Sequence, residues 1–441
     1  MSQEPESPIT VNSWLEEELF TQYLNDRKAV DESWNDVFQG KKKSPNGNGV
    51  SYATAAAPVS HAPLPVPAGE PVQLRGAPAK IAENMATSLT IPVASSQRII
   101  PVKVMEENRR ILNQRRSLTG KSKISYTHLV AWAIVKALGK HPNLNNAFAE
   151  IDGAPHRVVR GEVNLGIAVD VAGKDGSRSL VVPSIKNAGA LNFHEYMNAF
   201  DAIVAKARTG KLSLADFSGT TISLTNPGTV GTFGSMPRLM VGQGAIIATG
   251  AIDYPAEYQG VSHNVRAMIG VSKVMAVSCT YDHRIIQGAE SGMFLATLQE
   301  LLQGEHKFYD SIFMDLGMPH HPVRWESDRM QSLPGFGGAA TNTEDIAKQA
   351  AVLQLINAYR VRGHLIADLD PLGSEPQYHA ELDPATYGLT LWDLDREFLT
   401  GTLGRAMGED GPQYATLREI LETLRNTYCG QISCEYMNIQ H

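Results

Sequence analysis

A histidine stands between an aspartate and an arginine in the run Thr280-Tyr281-Asp282-His283-Arg284-Ile285-Ile286-Gln287-Gly288-Ala289. Small and β-branched residues precede it from Val271, and a helical pattern follows from Gly288 to Leu302. This order predicts an imidazole at a strand end, with glycine leaving backbone room beside it. Histidine is the side chain whose ordinary pKa lies near neutrality, which makes it the default general base. Its bland counterpart is a core histidine bonded to backbone. A second run, Thr220-Thr221-Ile222-Ser223-Leu224-Thr225-Asn226-Pro227-Gly228, alternates hydroxyls along a strand and ends in an Asn-Pro-Gly turn. A hydroxyl at such a strand end can face a channel and donate to a developing oxyanion. Asp282 and Arg284 read as an ion pair that orients the loop. Cys279, four residues before His283, raises the idea of a thiol nucleophile, but a small buried strand thiol is the simpler reading. The Gly-rich Leu333 to Gly338 lacks the strand-loop-helix lysine context of a phosphate loop and reads as linker.

These residues need a scaffold. A chain of 441 residues exceeds one ordinary domain, so two or three units are expected. Hydrophobic content of 43% with 19% charged residues suits globular domains. The net charge of -7 argues against a nucleic-acid partner. Cys279, Cys429 and Cys434 cannot all pair and lack metal-ligand spacing, which points to a reducing, cytoplasmic setting. The polar, acidic start does not read as a signal peptide, and no apolar run approaches the roughly 20 residues of a membrane span.

The pattern divides the chain. Residues 1–40 carry amphipathic helical spacing (Trp14, Leu15, Leu19, Phe20, Tyr23, then Val30, Trp34, Val37) and read as a docking segment or a frayed terminus. Residues 41–78 are lysine-rich, then rich in Gly, Asn, Ala and Pro, and read as a disordered linker in which His61 is solvated. Residues 79–313 read as mixed α/β. Helices are expected at Lys80–Leu89, Met105–Leu118, Thr127–His141, Leu191–Ala207 and Gly288–Leu302. Strands are expected at Val93–Val102, Val163–Val171, Leu180–Ile185, Thr220–Asn226, Ala245–Thr249 and Val271–Thr280, with a hairpin signal at Gly173-Lys174-Asp175-Gly176. Residues 314–341 form a linker. Residues 342–441 hold two strong helices, Glu344–Arg362 and Leu417–Tyr428, in an otherwise irregular, incomplete-looking part.

The run around His283 resembles the DHRxxDG signature of the acyltransferase component of 2-oxo acid dehydrogenase complexes, with Gln287 where that family usually has aspartate. The Thr220–Gly228 run resembles the family's TITNxG segment. The stretches KIAENM, SLTIPVA, QRIIPVKV, SYTHLVAWAIVKAL, VNLGIAVDV, GSRSLVVPSIKNA and QGAIIATGAI support it in the same order. The resemblance covers most of 79–313 and implies a two-layer α+β core of the chloramphenicol-acetyltransferase type. Acyl transfer between thiols needs a base, an oxyanion donor, and two long substrates held end to end. The resemblance implies His283 as the base and Thr225 as the oxyanion donor, although a threonine is also at home in any strand. Gln287 then holds the supporting position, with an amide in place of a charge-pairing carboxylate. The resemblance further implies a homotrimer through 79–313, with CoA entering one mouth of an intersubunit channel and dihydrolipoamide the other. His283 and Thr225 are then expected to meet across a subunit boundary.

A second resemblance lies in AYRVRGHLIADLDPL (358–372), LTLWDLDREF (389–398) and LREILETLRNTYCGQISCEYMNIQ (417–440), which look like the opening of the thiamine-dependent 2-oxoglutarate dehydrogenase component. NSWLEEELFTQYL and VDESWNDVF resemble that enzyme's docking segment. This order matches the fused 2-oxoglutarate dehydrogenases of actinobacteria, in which Gln287 is expected as a subfamily trait. Such proteins continue beyond residue 441, and their thiamine diphosphate and Mg2+ motifs lie downstream. His364 matches a position of their 2-oxo acid site. The lysine hairpin of a lipoyl domain is missing, Lys121-Ser122-Lys123 being a poor candidate. The lipoyl group is therefore expected from a partner acyltransferase subunit, with dihydrolipoamide dehydrogenase as a further partner. The implied activity is succinyl transfer to CoA. The alternatives are a non-catalytic trimerising scaffold for the dehydrogenase and an acetyltransferase acting on a small alcohol.

Overall fold

Val274–Asp282 alternates no polar face, and all its residues after Val274 are buried, so both faces of this strand must be covered. It is the tenth strand, β10, beside the centre of a six-stranded mixed sheet in the computed structural model. The structure describes residues 72–75, 77–172, 178–327, 341–367, 369, 376–401, 403 and 414–430. The expected segment 1–40, nearly all of 41–78 with His61, the 173–176 turn, the Leu333–Gly338 run, and residues 431–441 with Cys434 lie outside them.

The sheet runs in the order β1-β10-β9-β8-β4-β7. Its members are β1 (Val93–Pro101), β4 (Leu165–Ile167), β7 (Ser184–Ile185), β8 (Ile222–Thr225), β9 (Ala245–Asp253) and β10. β8 is parallel to both β4 and β9, whereas β10 is antiparallel to β1 and β9. Two-stranded ribbons β2 (Ala147–Ile151) with β3 (Ala154–Val158), and β5 (Val169–Ala172) with β6 (Arg178–Val181), stand beside it.

Helices cover the sheet, and their starts are written in the sequence. After α1 (Ala77–Ser88) and α2 (Lys103–Leu118), Ser125 caps α3 (Tyr126–Lys140) and Asn192 caps α4 (Phe193–Arg208), each reciprocated by the third helical residue, His128 or Glu195. α3 buries His128–Val135 with Ala137 and Leu138, and leaves Lys136, Gly139 and Lys140 exposed. Its Trp132, 1% exposed, meets Tyr196 and Phe193 of α4 with ring centroids 4.9 and 5.8 Å away. Burying each such ring contributes about 2–3 kcal/mol. Past the short helices α5 (Leu214–Phe217) and α6 (His263–Met268), α7 (Gly288–Leu302) packs on α3 and β1, and α8 (Phe308–Asp315) packs on α4.

Residues 318–327 run on without helix or strand. The Val323 backbone and the Asn108 side chain exchange two hydrogen bonds of 2.7 and 2.8 Å, and Trp392 Nε1 donates to the Glu326 carbonyl at 2.7 Å. The C-terminal layer comprises α9 (Thr341–Arg362), the ribbon β11 (Glu397–Leu399) with β12 (Tyr414–Thr416), and α10 (Leu417–Tyr428). Leu417, Ile420, Leu421 and Leu424 form the buried stripe of α10, spaced i, i+3, i+4, i+7. A buried charge network ties this layer to α2: Lys103 pairs with Asp395, and Arg418 pairs with both Asp395 and Glu107. The described residues from Leu74 onward belong to one unit.

The expected mixed α/β core with a mostly helical C-terminal part is what the structure shows. Two local expectations change. Val163–Val171 and Leu180–Ile185 are not two continuous strands, because Pro183 has no N–H to continue a ladder. Its carbonyl instead takes the Ile167 N–H, and the strands split into β4, β5, β6 and β7. The β2–β3 hairpin was missed although Asp152-Gly153 forms its turn with φ of 53° and 77°, the signature of a tight hairpin.

Candidate active site

β10 ends at Asp282 and α7 begins at Gly288, so His283 sits where the sequence places it, in a five-residue strand-to-helix turn. Its backbone N–H donates to the Pro92 carbonyl at 3.0 Å. Its ring Nδ1 lies 3.1 Å from the Ile286 carbonyl. A carbonyl can only accept, so Nδ1 must carry the proton, and Nε2 is left with the lone pair a base needs. The Tyr281 ring meets the imidazole edge-on at 5.5 Å, and the histidine is exposed in the single chain.

The flanking pair does what the sequence reading assigned to it. Asp282 is 2% exposed and accepts from Arg284 Nε at 2.9 Å and Nη2 at 2.6 Å, and also from the Arg284 backbone N–H. This two-pronged bond raises the Arg284 pKa further. The guanidinium lies 3.7 Å over the Phe148 ring, contributed by the hairpin that sequence reasoning missed. The turn is thus pinned on both sides of His283.

Gln287 is the N-cap residue of α7, and its N–H donates to the Glu290 carboxylate at 2.8 Å. That bond holds the Glu290 pKa below its ordinary value, with Asn143 Nδ2 adding a second donor at 2.7 Å. The Nδ1 partner of His283 is the Ile286 carbonyl rather than residue 287. Burial pushes the Cys279 thiol up to about 12, with the residue wholly inside the sheet, so it is no thiolate nucleophile near neutrality.

Thr225 ends β8 and is half-buried. The turn after it is laid tightly over β9. A Cβ on Gly228 would lie 2.2 Å from the Gly250 carbonyl oxygen, and one on Gly250 would lie 1.6 Å from that of Phe233. Only glycine fits at either place. Asn226, next to Thr225, donates from Nδ2 to Thr127 Oγ1 at 2.9 Å.

The sheet register sets how far His283 is from Thr225. Thr225 pairs with Ala248, and Ala248 pairs with Ser278. Thr225 is therefore level with Ser278 but two strands away, about 10 Å at usual strand spacing. His283 lies five residues beyond Ser278, about 17 Å further along the sheet. Because β8 and β10 run in opposite directions, His283 lies on the side of Thr225 from which β8 begins. The two residues sit roughly 20 Å apart in one chain, so a single chain does not bring them together.

A cleft of about 790 Å³ opens elsewhere, between α2 and the C-terminal layer, with Arg109, Arg110, His320, His379 and Arg425 among its lining residues. His283, Thr225 and Gln287 do not line it. His364 lies in the turn after α9, and Lys121-Ser122-Lys123 lies in the connection from α2 to α3, not at a hairpin. Among the described residues no three His, Cys, Asp or Glu side chains are gathered to hold a metal ion, and no helix is long and apolar enough to cross a membrane.

Residues 67–309 match the profile of the 2-oxoacid dehydrogenases acyltransferase (catalytic domain). The chain is 44% identical over 487 aligned positions to a multifunctional 2-oxoglutarate metabolism enzyme of Mycolicibacterium vanbaalenii, covering 98% of this chain and 38% of that protein. It is 50% identical over 369 positions to one of Mycobacterium sp. strain KMS, covering 83% of this chain and 28% of that protein. The chain thus spans under two fifths of these relatives' length. Among solved structures, a probable dihydrolipoamide acetyltransferase of Listeria monocytogenes is 25% identical, with a TM-score of 0.46 over 55% of this chain and 96% of that one.

Proposed function

Because the chain belongs to the family of 2-oxoacid dehydrogenase acyltransferases, we propose that it moves a succinyl group from dihydrolipoamide to CoA. The observation that carries this reading is the histidine with a fixed tautomer at the end of β10. His283 Nε2 takes the proton from the CoA thiol. The thiolate sulfur attacks the succinyl thioester carbon, and the carbonyl π electrons move onto oxygen. The Thr225 hydroxyl of a neighbouring copy donates to that oxyanion, at the moment when its charge is greatest. The intermediate collapses, the bond to the dihydrolipoyl sulfur breaks, and that sulfur recovers the proton from His283. One thioester and one thiol go in and come out, so no oxidant is needed.

The choice of succinyl rests on the relatives named for 2-oxoglutarate metabolism. The lipoyl arm is supplied by a partner acyltransferase subunit, and dihydrolipoamide dehydrogenase reoxidises it. The catalytic domain, 79–313, assembles as a trimer, between the docking segment 1–40 with linker 41–78 and, after linker 314–341, the start of the dehydrogenase component. Thiamine diphosphate and Mg2+ belong to the longer parent protein. Among the described residues no three His, Cys, Asp or Glu side chains gather to hold the Mg2+.

The test is CoA-dependent succinyl transfer from succinyl-dihydrolipoamide. His283→Ala should reduce turnover at least ~100-fold, the lower end of what a positioned base contributes. Wild-type turnover no higher than that of His283→Ala would refute the reading, and absence of CoA binding by calorimetry would favour a trimerising scaffold instead.

A further inference from the structure

The oxyanion donor on β8 needs aiming, because a hydroxyl displaced by about 1 Å loses much of its effect on a transition state. The hydrogen bonds around it lead away from the sheet. Asn226 is held twice: its side-chain Nδ2 donates to Thr127 Oγ1 at 2.9 Å, and its carbonyl accepts from Thr229 Oγ1 at 3.1 Å. Thr127 is the second residue of α3, and 99 positions of sequence separate it from Asn226.

That first turn of α3 is itself locked. The Ser125 N–H donates to His128 Nδ1 at 3.1 Å, and the Ser125 hydroxyl lies 2.6 Å from the same nitrogen. Nδ1 therefore accepts, and Nε2 carries the proton toward Asp201 Oδ1 at 3.1 Å. Tyr196 donates its hydroxyl to the His128 carbonyl at 3.2 Å. Asp201 and Tyr196 both belong to α4, so α4 fixes the turn of α3 that presents Thr127.

We infer that Thr127 is a positioning residue for acyl transfer, acting through Asn226 to aim the hydroxyl of Thr225. The inference rests on the assignment of Thr225 to the oxyanion. The linkage is directional: α4 holds His128, α3 presents Thr127, Thr127 holds Asn226, and Asn226 sets the backbone angle at which β8 ends. Thr127 touches no reacting atom, so it acts on the rate of the chemical step and not on CoA capture.

The experiment uses the full chain in the CoA-dependent transferase assay, with Thr127→Val, Thr127→Ser, Thr225→Ala and the double variant Thr127→Val/Thr225→Ala. Valine keeps the shape of threonine and removes the acceptor. Thr127→Val should lower kcat about 10-fold with KM for CoA within about twofold. Thr127→Ser should restore most of kcat. In the Thr225→Ala background, Thr127→Val should cost nothing further, because its effect passes through the missing hydroxyl. Thermal unfolding of each variant shows whether it is folded. Normal kcat in Thr127→Val beside a deficient Thr225→Ala overturns the inference. A loss that multiplies in the double variant, or that serine does not rescue, overturns it too, since a purely structural defect behaves that way. An undiminished Thr225→Ala overturns the underlying assignment instead, so the two failures are distinguishable.

Discussion

Two inactive variants should restore each other. Thr225 and His283 lie two strands apart and five residues out of register, with Ser278 as the common level. At about 3.4 Å per residue and about 4.8 Å per strand the separation is roughly 20 Å. A base and an oxyanion donor that serve one tetrahedral carbon must each come within about 3 Å of its substituents. No side-chain rotation closes the difference, so under the proposed mechanism the pair comes from two copies of the chain. In a closed ring with one site per junction, a site works when one copy keeps Thr225 and the next keeps His283. Random assembly of Thr225→Ala and His283→Ala chains in equal amounts satisfies both conditions at about one quarter of junctions. Succinyl transfer should therefore rise from the background of either variant to about a quarter of the wild-type rate. A companion mixture of wild type with the chain carrying both substitutions should also give about a quarter, where sites confined to one chain would give about a half. The assay is CoA-dependent transfer after joint dissociation and reassembly, with two affinity tags to verify mixing. Verified mixed assemblies no more active than the separate variants would refute the reasoning.

Gln287→Asp should change turnover less than about threefold, because the Ile286 carbonyl and not residue 287 holds Nδ1, while aspartate at an N-cap should stabilise α7 by about 0.5 kcal/mol; a tenfold rise in kcat would show that a carboxylate there matters. The folded state holds His128 neutral, since burial lowers its pKa from 6.5 more than Asp201 raises it. Below pH 6.5 the unfolded chain binds a proton that the folded one refuses, so stability falls as pH drops. The thermal midpoint of His128→Gln should decline less steeply through that range than that of the wild type. Glu107→Gln should leave Arg418 with Asp395 alone and loosen the C-terminal layer by about 2–4 kcal/mol, seen as earlier proteolysis of α9 and α10 with the catalytic domain intact.

What could be read in the chain follows the range of each interaction. The position of His283 was legible because Val274–Asp282 is small and β-branched and Gly288 opens a helix pattern at once. The ends of α7 and α10 were legible for the same reason, since caps and stripes are written within a few residues. The ring orientation of His283 was not, because its partner is a backbone carbonyl, and any residue at position 286 offers one. Phe148 under Arg284 and Thr127 under Asn226 depend on chain segments that meet only through the sheet. A local signal existed for the first of these. Asp152-Gly153 announces a hairpin, and the strand leading into that turn carries Phe148. The splitting of β6 from β7 was likewise visible in Pro183, which lies between them and has no N–H to continue a ladder.

Under the proposed mechanism, the turn at the end of β10 divides its work so that a glutamine at 287 should cost less than a loss of charge suggests. A carboxylate beside a histidine can do two separate things: fix which ring nitrogen carries the proton, and stabilise the charged ring once it forms. Here the first is done by the Ile286 carbonyl, which is covalently part of the same turn and cannot swing away. The turn is held in shape by the Asp282–Arg284 pair, whose carboxylate is already occupied by two guanidinium bonds and a backbone N–H. Residue 287 is left to begin α7, and its N–H is taken by Glu290. Substitution at 287 therefore leaves the geometry of proton transfer intact and touches at most the stabilisation of a transient charge. In the proposed reaction that charge exists only between deprotonation of one sulfur and reprotonation of the other.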